Sequence, residues 1–344
     1  MKRALLPLLL LFIACSLSAI DVRNRFSLYA LQQEDQHRIG AEWALDLQHE
    51  STWKSLTGQA GYSLHSNLQN TWEKRYTLQM DAHTYRWWLS LQAPQSELRL
   101  GLQQINFGSA QILRPLQWFD TLQVQDPYRI SRGVDAVLFR HYWLNSANLW
   151  LWGILGEDSA KGNDFIPAKD NALEFGARMQ YPSPIGEAAI SAHTRELEQG
   201  REYRLGLDYR YDGAIGAWLE TSAGHFIDAL PYVPAYSASA SLGMDYVFDR
   251  GNGIACTLEN MLSGIAKDDL SGLCRESWTG ALMINYPLAL LDTVSLVALS
   301  DWDGNTYAIN ARWRRVYDYV SLDLTLGHSS ETQYLLQLMI SLNL

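Results

Sequence analysis

The stretch that decides the fold is Gln333–Leu344, QYLLQLMISLNL. Tyr334, Leu336, Leu338, Ile340, Leu342 and Leu344 share one parity, and Gln333, Gln337, Ser341 and Asn343 share the other. Successive side chains of a strand point to opposite faces, so this is a strand with one apolar and one mostly polar face.

The same period of two recurs along the chain. Ile39, Ala41, Trp43, Leu45 and Leu47 alternate with Arg38, Gly40, Glu42, Asp46 and Gln48. Tyr85, Trp87, Leu89 and Leu91 alternate with Arg86, Ser90 and Gln92, with Trp88 interrupting the polar face. Leu173–Tyr181, Tyr203–Tyr211 and Val320–Gly327 repeat the pattern, and none of these stretches has a helical period. Between them lie turn-forming groups such as Pro94-Gln95-Ser96, Asn145-Ser146, Pro182-Ser183-Pro184, Asp212-Gly213 and Tyr317-Asp318. Longer connections, at 108–132, 157–170, 225–237 and 263–275, alternate with the tight turns.

Counting back from the C-terminus predicts strands ending at 344, 328, 315, 301, 286, 262, 248, 224, 211, 194, 181, 156, 143 and 107. Further strands are expected near 22–32, 38–49, 54–66 and 71–92, the last reading as one long strand or two. The count is about 18, with about 16 as the alternative, and an even number places both chain ends on one side. The expected fold is all-β: a closed antiparallel transmembrane β-barrel of one domain, residues 20–344. Such closure satisfies every backbone amide inside a bilayer without leaving a sheet edge.

The chain begins MKRALLPLLLLFIACSLSAI, with Lys2 and Arg3 ahead of an apolar run. Residues 1–19 read as a secretory signal peptide cleaved near Ser18 or Ala19, with Cys15 leaving a lipoprotein reading open. The 27 Lys and Arg against 37 Asp and Glu give a net charge of −10. That balance argues against a nucleic-acid partner, which needs a basic footprint. Past the leader only Cys256 and Cys274 remain, and whether they pair is left to geometry. Aromatics make up 12% of the chain. Tyr181, Tyr211, Tyr246, Tyr286, Trp313 and Tyr319 all fall beside turns of one side, as a headgroup-level girdle would.

The segment Glu97–Leu144, ELRLGLQQINFGSAQILRPLQWFDTLQVQDPYRISRGVDAVLFRHYWL, resembles porin-like outer-membrane proteins, nearest to the alginate-export and related large porin-like barrels. Arg99, Gly101, Gln103, Gly108, Pro115, Asp120, Asp126, Pro127, Gly133, Val134, Asp135 and Ala136 carry the resemblance over about 45 residues. It implies a bacterial outer-membrane location and a long loop folded into the lumen. On that reading Arg114, Asp120, Asp126, Arg129 and Arg132 form a charged constriction.

On the polar parity the expected pore-lining residues are Arg99, Arg178, Arg204, Arg210, Arg312, Arg314, Glu174 and Asp208. Glu42, Asp46, Glu220, Asp245, Glu259 and Asp323 share that side. The arginines either form a free basic ring that draws anions or pair with carboxylates and stiffen the wall. The charges at Glu157-Asp158, Asp164, Lys169-Asp170 and Lys267-Asp268-Asp269 read as solvated loop tips.

Motifs for metalloproteases, serine hydrolases and phosphate-binding loops are lacking, and the eight His residues are scattered. We therefore expect no enzyme activity, metal or cofactor. The expected partners are outer-membrane lipid, small hydrophilic solutes, and the barrel assembly machinery acting on the C-terminal strand. The expected function is passive diffusion of small hydrophilic solutes. Alternatives are export of an anionic polysaccharide, a non-conducting structural or adhesin barrel, and a secreted soluble β-protein.

Overall fold

A computed structural model describes residues 20–72, 76–121, 131–228, 233–331 and 333–344. The first strands are β1 (Asp21–Gln33), β2 (Gln36–Trp53), β3 (Leu56–Trp72), β4 (Tyr76–Ala93) and β5 (Ser96–Gln103). There follow β6 (Val134–Tyr142), β7 (Asn148–Leu155), β8 (Leu173–Ser183), β9 (Gly186–Glu196), β10 (Arg201–Asp212) and β11 (Gly216–Ile227). The last are β12 (Tyr236–Phe248), β13 (Ile254–Ala266), β14 (Cys274–Pro287), β15 (Asp292–Asp301), β16 (Thr306–Val316), β17 (Val320–Ser329) and β18 (Leu335–Asn343).

Each strand pairs antiparallel with its sequence neighbours, and the 18-stranded sheet closes where β18 meets β1. That seam runs from Arg25 opposite Asn343 to Gln33 opposite Leu335. Asn24 and Leu344 add reciprocal backbone hydrogen bonds of 2.7 and 2.8 Å. The predicted strand 71–92 divides: Thr71 and Trp72 end β3, and Tyr76–Gln92 lie in the single strand β4. The strand predicted to end at 107 ends at Gln103, because Ile105 and Phe107 turn inward and are buried.

The outer face is the apolar one. On β10, Tyr203, Leu205 and Leu207 are exposed while Glu202, Arg204 and Asp208 are buried. Phe26, Leu28, Leu338, Ile340 and Leu342 are exposed on either side of the closing seam, and Ser27 and Ser341 face inward with their hydroxyls 2.8 Å apart. This inverts the arrangement of a water-soluble protein and is what a lipid-facing belt requires. Tyr181, Tyr211, Tyr246 and Tyr319 are exposed at the barrel end that carries the chain termini. Tyr286 and Trp313 lie at the same end, half-buried.

The strands differ in height. β2 and β4 have 18 residues and β3 has 17, against 8 for β5 and β7. Since about 10 residues suffice to cross a bilayer, β2–β4 stand beyond the belt, and Tyr76–His83 of β4 is exposed on both faces.

Cys256 and Cys274 are free thiols. Cys274 lies in β14 opposite Ile265, not in the preceding loop as its sequence position suggests. Cys256 is about nine residues from Ile265 along β13, a separation of about 30 Å. A disulfide needs Cα atoms within about 7 Å.

Candidate functional site

The lumen is organised by residues 104–121, which follow β5 and run inside the barrel. Ile105, Phe107, Leu116, Trp118 and Phe119 pack against Val134, Ala136 and Leu138 of β6 and Trp152 and Ile154 of β7. The Phe107 and Trp152 rings stack at 5.6 Å, Trp118 meets Phe107 edge-on at 5.5 Å, and Phe119 meets His193 at 5.0 Å. The Trp118 indole N–H donates to Ser222 Oγ at 3.0 Å. The inner wall at β6 and β7 is therefore apolar, and β7 (NLWLWGIL) lacks alternation because lipid covers one face and the loop covers the other. Burying each large side chain in this way contributes about 1.5–3 kcal/mol.

The loop is seated by two wall carboxylates. Glu220 of β11 accepts from the backbone N–H groups of Ala110 at 2.9 Å and Leu116 at 2.7 Å. Glu259 of β13 accepts from those of Gln111, Ile112 and Leu113 at 2.7, 3.0 and 2.6 Å, and from the Trp218 indole at 3.2 Å. Both side chains are fully buried. Gly108 has a φ of +101°, and a Cβ there would lie 2.3 Å from a Glu220 carboxylate oxygen, so glycine lets the loop approach.

The connection between β7 and β8, residues 156–172, also turns inward and locks the first loop. Asn163 donates its backbone N–H to Gln117 O at 2.8 Å and its side-chain amide to Arg114 O at 2.7 Å. Gly162 sits in the left-handed region, where a Cβ would meet Gln117 O at 2.0 Å. Lys161 Nζ reaches Glu174 at 2.6 Å, and Glu174 lies 3.1 Å from His193 Nε2. Asp164 is not a solvated loop tip. It is buried between Arg195 and Arg204, at 2.6 and 2.7 Å, and Glu202 bridges the same two guanidinium groups. The tip turns toward this cationic wall because both its charge and its apolar residues find partners there.

The arginines expected along the pore are mostly paired. Arg178 binds Asp208, Arg210 lies 2.9 Å from Asp212 and 3.4 Å from Asp245, and Arg312 Nε donates to Asp323 at 2.7 Å. Arg314 is half-exposed and 3.8 Å from Asp323. Arg178, Arg204, Glu174 and Asp208 face inward but are buried beneath the two loops, so they border no open water. Within the loop, half-buried Arg114 pairs with buried Asp120 at 3.0 Å. Arg132 reaches Glu157 at 3.0 Å and is exposed. Asp126 and Arg129 lie outside the described residues, as do residues 1–19, which the sequence reads as a signal peptide.

Open space remains on the opposite side of the loop. A cavity of about 340 Å³ is bordered by β2–β6 and the start of the loop. Arg86, Arg99 and Arg140 line it, with Asp46, Gln103, Gln104 and Asn106. Arg99 lies 4.3 Å over the Trp88 ring and 2.7 Å from Glu97, and Arg140 is 3.2 Å from Glu97. Arg86 donates to Gln104 Oε1 at 2.7 Å. Asp46 accepts from the Tyr85 hydroxyl at 2.9 Å. Sequence reading singled out Arg99 alone among these guanidinium groups. The polar parity of Arg86 was visible, but its position against the loop was not.

No protein-family profile matches the chain, and no curated relative does. Solved structures do resemble it. OccK2 (OpdF) of Pseudomonas aeruginosa, in complex with glucuronate, superposes with a TM-score of 0.63 at 11% identity, covering 94% of this chain and 96% of that one. OccAB1 of Acinetobacter baumannii gives 0.62 at 7% identity, over 94% and 96%. OmpF of Salmonella typhi, in complex with daunomycin, gives 0.54 at 8% identity, over 94% and 97%. The chain thus has the fold of porin-like outer-membrane β-barrels. These similarities point to Occ channels and OmpF, and they do not support the alginate-export group as the nearest kin.

Proposed function

We propose that this chain is an outer-membrane channel for passive diffusion of small hydrophilic solutes, narrowed by residues 104–121. The observation that carries this reading is the lopsided lumen inside an apolar belt. Loops fill the β6–β13 side, and the arginine-lined cavity stays beside β2–β6. The lining carries the guanidinium groups of Arg86, Arg99 and Arg140 against Asp46, with Glu97 paired to Arg99 and Arg140; three cations against two carboxylates leave it net positive, so the passage favours small anions. The solved likeness in complex with glucuronate is consistent with that charge preference.

The same reading places export in the leader 1–19 and membrane insertion in the assembly machinery's recognition of β18. Fractionation of expressing cells and N-terminal sequencing of the mature protein test these two points. The belt argues against a soluble β-protein, and the pairing of Arg178, Arg204, Arg210 and Arg312 leaves no free ladder for a polyanion. Planar-bilayer recording is the decisive experiment. Discrete conductance steps with a reversal potential on the anion side are expected. Silence across many insertions would instead establish a structural barrel plugged by the Trp118 cluster.

A further inference from the structure

The geometry points to Glu220 and Glu259 as positioning residues that set the aperture by pinning the inward loop at residues 110–116 to the far wall; this role rests on the channel reading above. Neither is expected to touch solute, since both are fully buried. Their partners on the loop are main-chain amides, five in all, from Ala110, Gln111, Ile112, Leu113 and Leu116. A run of successive N–H groups converging on one carboxylate is an anion-binding nest formed by the chain itself. Here the anion belongs to the wall and the nest to the loop.

The attachment specifies position more than it adds bulk stability. Backbone donors fix where the main chain lies whatever side chains the loop carries. Among the amides from Ala110 to Leu113 every one is engaged, so a shift of one residue would take a donor off its carboxylate. The two carboxylates sit on β11 and β13, whereas the loop leaves from β5 and returns to β6, so the pins hold it across the lumen. The side opposite the pins is where the cavity remains. Gly108 completes the device, because any side chain there would strike Glu220. The Trp218 indole holds Glu259 in turn, donating to the oxygen that also accepts from Gln111.

The test uses the full mature chain refolded in detergent, with Glu220→Ala, Glu259→Ala and the matching Gln variants. Heat-modifiable mobility on gels first establishes that each barrel is closed. Hydrogen exchange over 108–118 is then compared with exchange in β14–β18. We expect the Ala variants to exchange faster by about ten- to a hundredfold in the loop alone, with the Gln variants between them and wild type. Single-channel conductance should fall about twofold as the freed loop enters the cavity it is held clear of, with noisier open states and weaker ion selectivity. Should the Ala variants not fold, the near-isosteric Gln variants carry the comparison. Loop exchange unchanged from wild type in closed variant barrels would overturn the pinning role, as would faster exchange with unaltered conductance. A wild-type chain that passes no current defeats the channel reading instead, and exchange alone then decides whether the carboxylates hold the loop.

Discussion

The Arg178 guanidinium grips the Asp208 carboxylate at both oxygens, with N–O distances of 2.6 and 3.0 Å, and both side chains are buried. Ser191 Oγ accepts a further bond from Arg178 at 3.1 Å, and the Phe107 ring lies 5.1 Å from the guanidinium carbon. The pair therefore joins β8 to β10 beneath the inward loop. Removing either partner strands the other charge in a dry setting, at a cost of about 3–5 kcal/mol. Arg178→Ala and Asp208→Ala should each lower the denaturant midpoint in micelles. Replacing both with apolar residues of similar volume should recover most of the loss.

Arg312 and Arg314 share Asp323 unequally. Arg312 is bonded to it, while Arg314 is half-exposed at 3.8 Å. Arg314→Glu should move the reversal potential toward cations with little loss of stability. Arg312→Glu should chiefly destabilise the wall, because it sets a second carboxylate against Asp323. Equal selectivity shifts from both would refute this division.

The belt can be probed by charge. Leu205 is exposed on the outer face of β10, and Tyr211 lies on the same face near the strand's end. Leu205→Arg should destabilise the bilayer-inserted barrel by about 2–4 kcal/mol, and Tyr211→Arg by about 0–1 kcal/mol. Equilibrium unfolding from vesicles would measure the contrast; similar small costs at both sites would argue against a lipid-facing belt.

The two thiols should stay independent. Cys274 is exposed and Cys256 half-buried, so a maleimide should label Cys274 first. Gel mobility should be the same with and without reductant. A faster-migrating oxidised form would contradict the register of β13 with β14.

Strand number, direction and seam were legible because alternation is local: a residue's parity reports its face without knowledge of its partners. Tyr203–Tyr211 shows this, since every second residue does face outward. The lumen was legible only in part. Glu220 and Glu259 could be placed on the inner face, but their donors are main-chain amides more than 100 residues away, which no side-chain pattern announces. Asp164 looked solvated because its partners, Arg195 and Arg204, lie on strands that follow it in the chain. β7 lost its alternation for the same reason: the cover over its inner face comes from a distant part of the sequence.

The inward loop also divides the wall into a part that carries it and a part that does not. Its named wall partners, Arg86, Trp152, His193, Glu220, Ser222, Asp245 and Glu259, all precede β14 in the chain. None of these contacts draws on β14–β18, which complete the circumference without carrying the insert, and the meeting of Asn24 with Leu344 joins that unburdened arc to β1.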